Sequence, residues 1–164
     1  MSSSLNLVSG DDLLIQAECR LTLFPSLCIE CIKSDPSYRQ ADKKGIATII
    51  VKCLINHAST LQSGTSQIAS SVLSPTMKVV FQTCATGYGF ANQVLNDATR
   101  ALTNFDAAGA LTYVGQARAS NTNCQTTSAV YIGVIPKVIP SEQILYEQLS
   151  NVATSIITAG IRAH

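Results

Sequence analysis

Residues 74–105 read SPTMKVVFQTCATGYGFANQVLNDATRALTNF, and apolar or small side chains recur along this stretch in steps of four and three. The series is Met77, Phe81, Cys84, Tyr88, Ala91, Leu95, Ala98, Leu102 and Phe105. This spacing places one apolar stripe along a single face of an α-helix. Ser74 suits the N-cap and Pro75 suits the first helical position. The stretch therefore predicts a long amphipathic helix over residues 75–104.

The same periodicity occurs in three other parts of the chain. The first stripe is Ile46, Ile50, Cys53, His57, Leu61, Gly64, Ile68 and Val72; the second is Ala110, Val114, Ala117, Asn121, Cys124, Ser128 and Tyr131; the third is Leu145, Leu149, Val152, Ile156 and Ala159. Asp42, Asp106 and Ser141 are candidate N-caps for these segments. The patterns predict helices over residues 41–73, 107–131 and 141–162, with a loop around Pro136 and Pro140.

The fold class that follows is all-α, an up-down-up-down four-helix bundle over residues 41–162. Links of only one or two residues between the predicted helices favour antiparallel neighbours. Residues 12–38 are helical in pattern but interrupted at Pro25, which predicts an N-terminal helical hairpin docked on the bundle. Residues 1–11 are expected to form a flexible tail, so that residues 12–164 make a single domain.

Charge and hydropathy exclude several kinds of partner. The 164 residues carry a net charge of +1, and only 13% of them are charged, against about a quarter in a typical protein. Nothing in this balance provides the basic surface that nucleic acids or anionic membranes require. No apolar run approaches the ~20 residues of a membrane-spanning helix. The sequence therefore predicts neither a nucleic-acid partner nor a membrane partner.

Catalytic residues are not evident in the pattern. The histidines are His57 and His164, and His57 falls on a predicted apolar stripe, where we expect a core side chain. No acidic residue is placed in the sequence so as to orient it, as a catalytic histidine would need. We therefore predict no catalytic residue, no cofactor and no metal site.

Six cysteines allow two interpretations. Cys28 and Cys31 together with Cys53 and His57 have the residue types of a tetrahedral zinc site. The favoured interpretation is disulfide bonding, because an even cysteine count suits an oxidising compartment. Six cysteines permit 15 pairings, and their spacing alone does not choose among these.

Several short motifs resemble those of the plant invertase and pectin methylesterase inhibitor family. Cys19 and Cys28 flank a proline in CRLTLFPSLC, IKSDPS follows at residues 32–37, and ADKKG occupies residues 41–45. Thirty-nine residues separate Cys84 from Cys124, and Tyr88 lies four positions after Cys84. The resemblance covers about residues 15–160. It implies disulfides Cys19–Cys28 and Cys84–Cys124, with Cys31 and Cys53 as either buried thiols or a third disulfide.

The resemblance implies a secreted inhibitor rather than an enzyme. Such a protein would occlude the active-site cleft of a plant cell-wall carbohydrate-active enzyme in a 1:1 complex, in the apoplast or cell wall, with the vacuole as another location. The favoured target is pectin methylesterase, because Phe81-Gln82-Thr83-Cys84 is similar to a stretch of its inhibitors. The alternative target is acid invertase. We expect the contacts on the solvent face of the two middle helices, around Thr83, Thr86, Phe90 and Asn123.

A third interpretation follows from a departure from the family pattern. The acidic residues that follow the third and fourth family cysteines in methylesterase inhibitors are absent after Cys84 and Cys124. The chain would then be a divergent member that binds or converts a small molecule with His57, Tyr88 or Tyr113.

Overall fold

Helices make up nearly all of residues 10–162, the part of the chain that the structure, a computed structural model, describes. The N-terminal helices are α1 (Gly10–Arg20) and α2 (Pro25–Ser34), followed by a 3₁₀ turn (Pro36–Gln40). The long helices are α3 (Lys43–Ser71), α4 (Pro75–Thr103), α5 (Ala107–Ser128) and α6 (Val138–Arg162), with a 3₁₀ turn at Ala129–Tyr131. The described residues form no strand. The predicted all-α class is confirmed.

The four long helices form a closed ring of neighbours. α3 packs against α4 and α6, and α5 packs against the same two helices. Three-residue turns connect α3 to α4 and α4 to α5, and turns this short leave consecutive helices antiparallel. The predicted up-down-up-down bundle is therefore confirmed, with α1 and α2 as a hairpin beside α3.

Side-chain caps set the starts of three bundle helices. Oδ1 of Asp42 accepts a hydrogen bond from the backbone N–H of Gly45 at 2.8 Å, and Oδ1 of Asp106 accepts one from Gly109 at 2.9 Å. Ser74 caps α4 through Met77 at 3.3 Å. Each cap satisfies a backbone donor that the helix itself leaves unpaired, which is worth about 1 kcal/mol.

The predicted stripes of α4 and α5 line the core, with one exception. Phe81, Tyr88 and Leu95 on α4 are fully buried, and every predicted position of α5 from Ala110 to Ser128 is buried. Phe105, however, is 83% exposed. It lies beyond the end of α4 with a left-handed φ of 59°, so its side chain leaves the line of the stripe.

The other two stripes also line the core at most predicted positions: Ile46, Ile50, Leu61 and Ile68 on α3 and Leu149, Val152 and Ile156 on α6 are buried. The remaining positions differ from the prediction. On α3, Leu54, Ala58 and Thr65 are buried, whereas Cys53 and His57 are only partly buried. They lie at the edge of the stripe because Cys53 faces α2 and His57 faces α6. On α6, Tyr146 is fully buried where Leu145 was expected.

Most predicted boundaries differ from the structure by one to three residues. α6 begins at Val138 rather than after Ser141, because Pro140 falls in its first turn, where a missing N–H has no intrahelical acceptor. α1 begins at Gly10, so residues 10 and 11 are helical rather than part of a tail. The rest of the predicted tail, residues 1–9, lies outside the described residues. None of the described helices is both long enough and apolar enough to span a bilayer.

Candidate interaction surface

Three disulfides connect consecutive helices. Cys19–Cys28 joins α1 to α2 with a Cα–Cα distance of 5.6 Å, Cys31–Cys53 joins α2 to α3 at 6.3 Å, and Cys84–Cys124 joins α4 to α5 at 5.1 Å. The first and third are the pairs that the family resemblance implies. Because the sulfurs of Cys28, Cys31 and Cys53 are all bonded, the zinc site considered above does not form.

The Cys84–Cys124 disulfide lies beside a buried hydrogen-bond network. The hydroxyl of Tyr88 donates to Oδ1 of Asn121 at 2.6 Å, and Nε2 of Gln143 contacts both Tyr88 Oη at 3.2 Å and Cys124 Sγ at 3.3 Å. Burial raises the pKa of Tyr88 to about 12, because a buried phenolate loses its hydration. Tyr88 is therefore a neutral, hydrogen-bonded core residue at physiological pH.

His57 is not the core residue that its position on the stripe predicted. Its side chain is 26% exposed, and Nδ1 contacts Oε2 of Glu142 on α6. The contact ties α3 to α6, and it supplies the acidic neighbour that the sequence did not reveal. In the described part of the chain, no three histidine, cysteine, aspartate or glutamate side chains cluster as a metal site would need.

The four residues predicted to contact a partner are all exposed on α4 and α5. Thr83, Thr86 and Phe90 follow one another at helical spacing on α4, and the Phe90 side chain is 47% exposed. Thr83 and Asn123 each precede a cysteine of the Cys84–Cys124 disulfide. The structure thus places them on one crosslinked pair of helices, and we call the exposed surface around these four residues the α4–α5 face.

Small residues hold the helices of the α4–α5 face close together. A Cβ added to Gly87 would lie 3.7 Å from Cβ of Ser120 on α5, which is ordinary van der Waals contact. Ala91 on α4 and Ala117 on α5 are also small and buried. Close packing together with the disulfide leaves this pair of helices little freedom to shear.

The surface of the α4–α5 face is nearly uncharged. α4 carries no charged residue between Lys78 and Asp97, and the one charged residue of α5, Arg118, pairs with Glu147 of α6. On its α3 side the face borders a shallow depression of about 270 Å³ lined by Ser66, Ser70, Lys78, Gln82 and Thr86. The sequence did not predict this depression, because it exists only where α3 meets α4.

The motifs that carry the family resemblance have structural roles. In IKSDPS, Oδ1 of Asp35 accepts hydrogen bonds from the N–H and the hydroxyl of Ser37 at 2.8 and 2.6 Å. These bonds favour the carboxylate and lower the pKa of Asp35. Asp35 caps the 3₁₀ turn, and Asp42 of ADKKG caps α3. Neither aspartate belongs to the α4–α5 face.

The structure is that of a small helical bundle whose helices are crosslinked by disulfides and which has one nearly uncharged face. The chain belongs to the plant invertase/pectin methylesterase inhibitor family, whose sequence profile matches residues 13–156. The resemblance seen in the sequence is therefore confirmed.

Some relatives are named as inhibitors of fructosidase and others as inhibitors of pectinesterase. The chain is 30% identical over 91 residues to cell wall / vacuolar inhibitor of fructosidase 2 of Arabidopsis thaliana, covering 55% of the chain and 51% of that protein. It is 27% identical over 99 residues to a pectinesterase inhibitor of Actinidia deliciosa, covering 60% and 54%. These two matches span about half the length of each relative. Pectinesterase inhibitor 2 of Arabidopsis thaliana is 29% identical over 141 residues, which is 86% of the chain and 77% of that protein.

Solved structures share the fold. A mutant form of a pectin methylesterase inhibitor from Arabidopsis superimposes with a TM-score of 0.73, at 18% identity, over 88% of this chain and 95% of that one. A second inhibitor structure, from Arabidopsis thaliana, gives a TM-score of 0.67 at 18% identity, over 96% and 97% of the two chains. At this identity the likeness shows the helical bundle and nothing about the target.

Proposed function

We propose that the chain is a proteinaceous inhibitor that forms a 1:1 complex with a plant cell-wall carbohydrate-active enzyme and occludes its active-site cleft, with pectin methylesterase as the favoured target. The observation that carries this choice is the 141-residue match to pectinesterase inhibitor 2, which covers 86% of the chain. The chain has 164 residues, so a match over 141 of them includes the whole of α3, α4 and α5 wherever it begins.

Acid invertase is the second candidate target. The match to cell wall / vacuolar inhibitor of fructosidase 2 has the higher identity, 30%, but covers 55% of the chain. An inhibitor of either enzyme needs no reacting group of its own, because excluding the polymer or sugar substrate is sufficient.

The α4–α5 face supplies the binding surface in this proposal. Its helices are crosslinked by Cys84–Cys124, so little conformational entropy is lost when a partner immobilises them. Phe90, 47% exposed, offers an aromatic side chain of the type that anchors protein interfaces. Because the face bears few charges, an interface there would leave few buried ions unpaired, and inhibition would depend weakly on salt.

The compartment we propose is extracellular, the apoplast or cell wall, with the vacuole as the alternative. Three disulfides that use all six cysteines suit an oxidising environment. The name of the fructosidase inhibitor relative includes both the cell wall and the vacuole.

The test is a stoichiometric inhibition assay with purified plant pectin methylesterase and purified acid invertase, each at acidic and neutral pH. We expect methylesterase activity to fall linearly to an endpoint at one inhibitor per enzyme when the enzyme concentration exceeds the dissociation constant. Inhibition of invertase alone would replace the favoured target with the second one. No inhibition of either enzyme would overturn the proposal and favour the divergent small-molecule interpretation.

A further inference from the structure

An apolar cleft lies at the end of the bundle where α3 and α5 begin and α4 and α6 end. It has a volume of about 580 Å³, which is within the range of small-molecule sites. Its walls are apolar: Ala47, Leu102, Ala107, Ile156, Ile157 and Ala159. None of its lining residues belongs to the α4–α5 face, so it is a separate feature of the molecule.

Two lysines stand at the mouth of this cleft. Nζ of Lys43 lies 3.8 Å from Oε1 of Glu18, so that ammonium already has one carboxylate beside it. Nζ of Lys44 lies 4.2 Å from the centroid of the Phe105 ring, and among the described residues it pairs with no carboxylate. Phe105 also lines the cleft and is 83% exposed. The mouth thus combines an aromatic ring with a cation that has no anionic partner within residues 10–162.

The nearby acidic caps form no ion pair with Lys44 within residues 10–162. Asp42 and Asp106 both lie at this end of the bundle, but each carboxylate accepts a hydrogen bond from an N–H of its own helix, and neither lines the cleft. Glu18 is the one acidic residue among the lining residues. The lining therefore carries two positive charges and one negative charge, which favours an anionic ligand over a neutral or cationic one.

We propose that this cleft binds an amphipathic carboxylate, a molecule with an apolar chain or ring system and one terminal carboxyl group. The apolar body lies against Ile156 and Ile157, where it is removed from water. The carboxylate lies at the mouth, where Lys44 and then Lys43 provide charge-assisted hydrogen bonds. A sugar acid lacks the apolar body and does not match these walls.

Dodecanoate, below its micelle-forming concentration, is the probe, and dodecyltrimethylammonium, with the same chain and the opposite charge, is its control. Calorimetric titration of the full chain should show one dodecanoate site and a much weaker interaction with the cation. Dodecanoate should also raise the melting temperature, because a ligand that binds only the folded state stabilises it. Equal binding of both probes, or no binding of dodecanoate, would overturn the proposal.

Two glycine variants locate the site. Gly160 lines the cleft, and a Cβ added there meets no atom within 4 Å, so Gly160→Leu adds apolar bulk to the lining from a position with open space around its Cβ. A Cβ added to Gly115 on α5 also meets no atom within 4 Å, but Gly115 does not line the cleft. Gly115→Leu is therefore the matched control. We expect Gly160→Leu to weaken dodecanoate binding at least ~tenfold and Gly115→Leu to leave it unchanged. Native binding by Gly160→Leu would contradict this assignment.

The charge variant tests the mouth of the cleft. Lys44→Gln should weaken dodecanoate binding by about fivefold, as expected for a partly exposed ion pair, and should leave the weak binding of the cation unchanged or slightly stronger. Sedimentation at several protein concentrations completes the experiment. If dodecanoate does not bind and self-association is lost in Gly160→Leu but kept in Gly115→Leu, the cleft holds a second copy of the chain and the proposal is wrong.

Discussion

The hydroxyl of Tyr88 donates a 2.6 Å hydrogen bond to Oδ1 of Asn121 between two helices of the bundle, where neither residue has any solvent exposure. Nδ2 of Asn121 donates in turn to the backbone carbonyl of Gln143 at 3.1 Å, and Nε2 of Gln143 donates to Tyr88 Oη at 3.2 Å. The three residues come from α4, α5 and α6. A register shift of any of these helices would leave buried polar groups unpaired, so the network specifies their alignment.

Removing the Tyr88 hydroxyl should therefore destabilise the fold. Tyr88→Phe leaves Oδ1 of Asn121 buried without its donor, and we expect the free energy of unfolding to fall by about 1–3 kcal/mol. Urea denaturation followed by circular dichroism measures this difference. Tyr113→Phe is the control, because the Tyr113 side chain is only half-buried and its hydroxyl has no hydrogen bond among the described residues. Equal stability losses in both variants would contradict the role of the network.

The raised pKa of Tyr88 predicts that the folded protein loses stability at alkaline pH. Burial raises the pKa of Tyr88 to about 12 in the folded state, against about 10 in an unfolded chain. Between these values the unfolded state binds fewer protons than the folded state, so stability is unaffected below pH ~10 and falls as the pH rises through ~12. The pKa of Tyr146 is raised in the same direction, chiefly by its own burial.

Urea denaturation at several pH values tests this prediction. The free energy of unfolding should decrease above pH ~10, and Tyr88→Phe should show a shallower decrease because one shifted phenol has been removed. Non-reducing electrophoresis after each measurement checks that the disulfides remain paired. An identical slope in the variant would show that Tyr88 does not contribute.

The Cys31–Cys53 disulfide should stabilise the fold by lowering the conformational entropy of the denatured chain. It joins residues 22 positions apart, and in the chain-entropy model a crosslink of this span is worth about 3 kcal/mol. Denatured, oxidised protein should show no titratable thiol. The double variant Cys31→Ala/Cys53→Ala should lose stability on this scale in urea denaturation.

The Cys19–Cys28 pair provides a matched comparison for that loss. Its cysteines are only 9 positions apart, so Cys19→Ala/Cys28→Ala should cost less than the loss of Cys31–Cys53, because a shorter loop constrains the denatured chain less. Two free thiols at Cys31 and Cys53 in the native protein would rule out the crosslink itself.

The variant Phe90→Ala distinguishes a role of Phe90 in binding a partner from a role in stabilising the fold. Because Phe90 is 47% exposed, Phe90→Ala should change the melting temperature little, while weakening inhibition of the target enzyme by ~2 kcal/mol or more if the ring is an anchor. Leu73→Ala is the control, because Leu73 is 97% exposed in the turn between α3 and α4 and lies outside the face. A large fall in melting temperature for Phe90→Ala would identify the ring as a packing residue instead.

The sequence by itself determined the helices and most of their starts. The burial of Phe81, Tyr88 and Leu95 follows from their spacing, because helical periodicity is a property of residues three and four positions apart. Asp42 and Asp106 likewise act on amides three residues away. Short links then leave the antiparallel bundle as the arrangement that buries all four stripes. The start of α6 was missed because a proline is equally compatible with a loop and with a first helical turn.

Tertiary structure alone decided which side chains meet across helices. His57 and Glu142 are 85 positions apart, and no local pattern predicts their contact, because it depends on how far each helix is rotated and shifted along its neighbour. The same holds for Cys31 and Cys53, whose pairing requires α2 to lie against one particular turn of α3. The cleft beside Lys44 requires the ends of four helices to come together. Helix propensity and amphipathicity define the elements, whereas rotation and offset come from the packing of complete side chains in the assembled core.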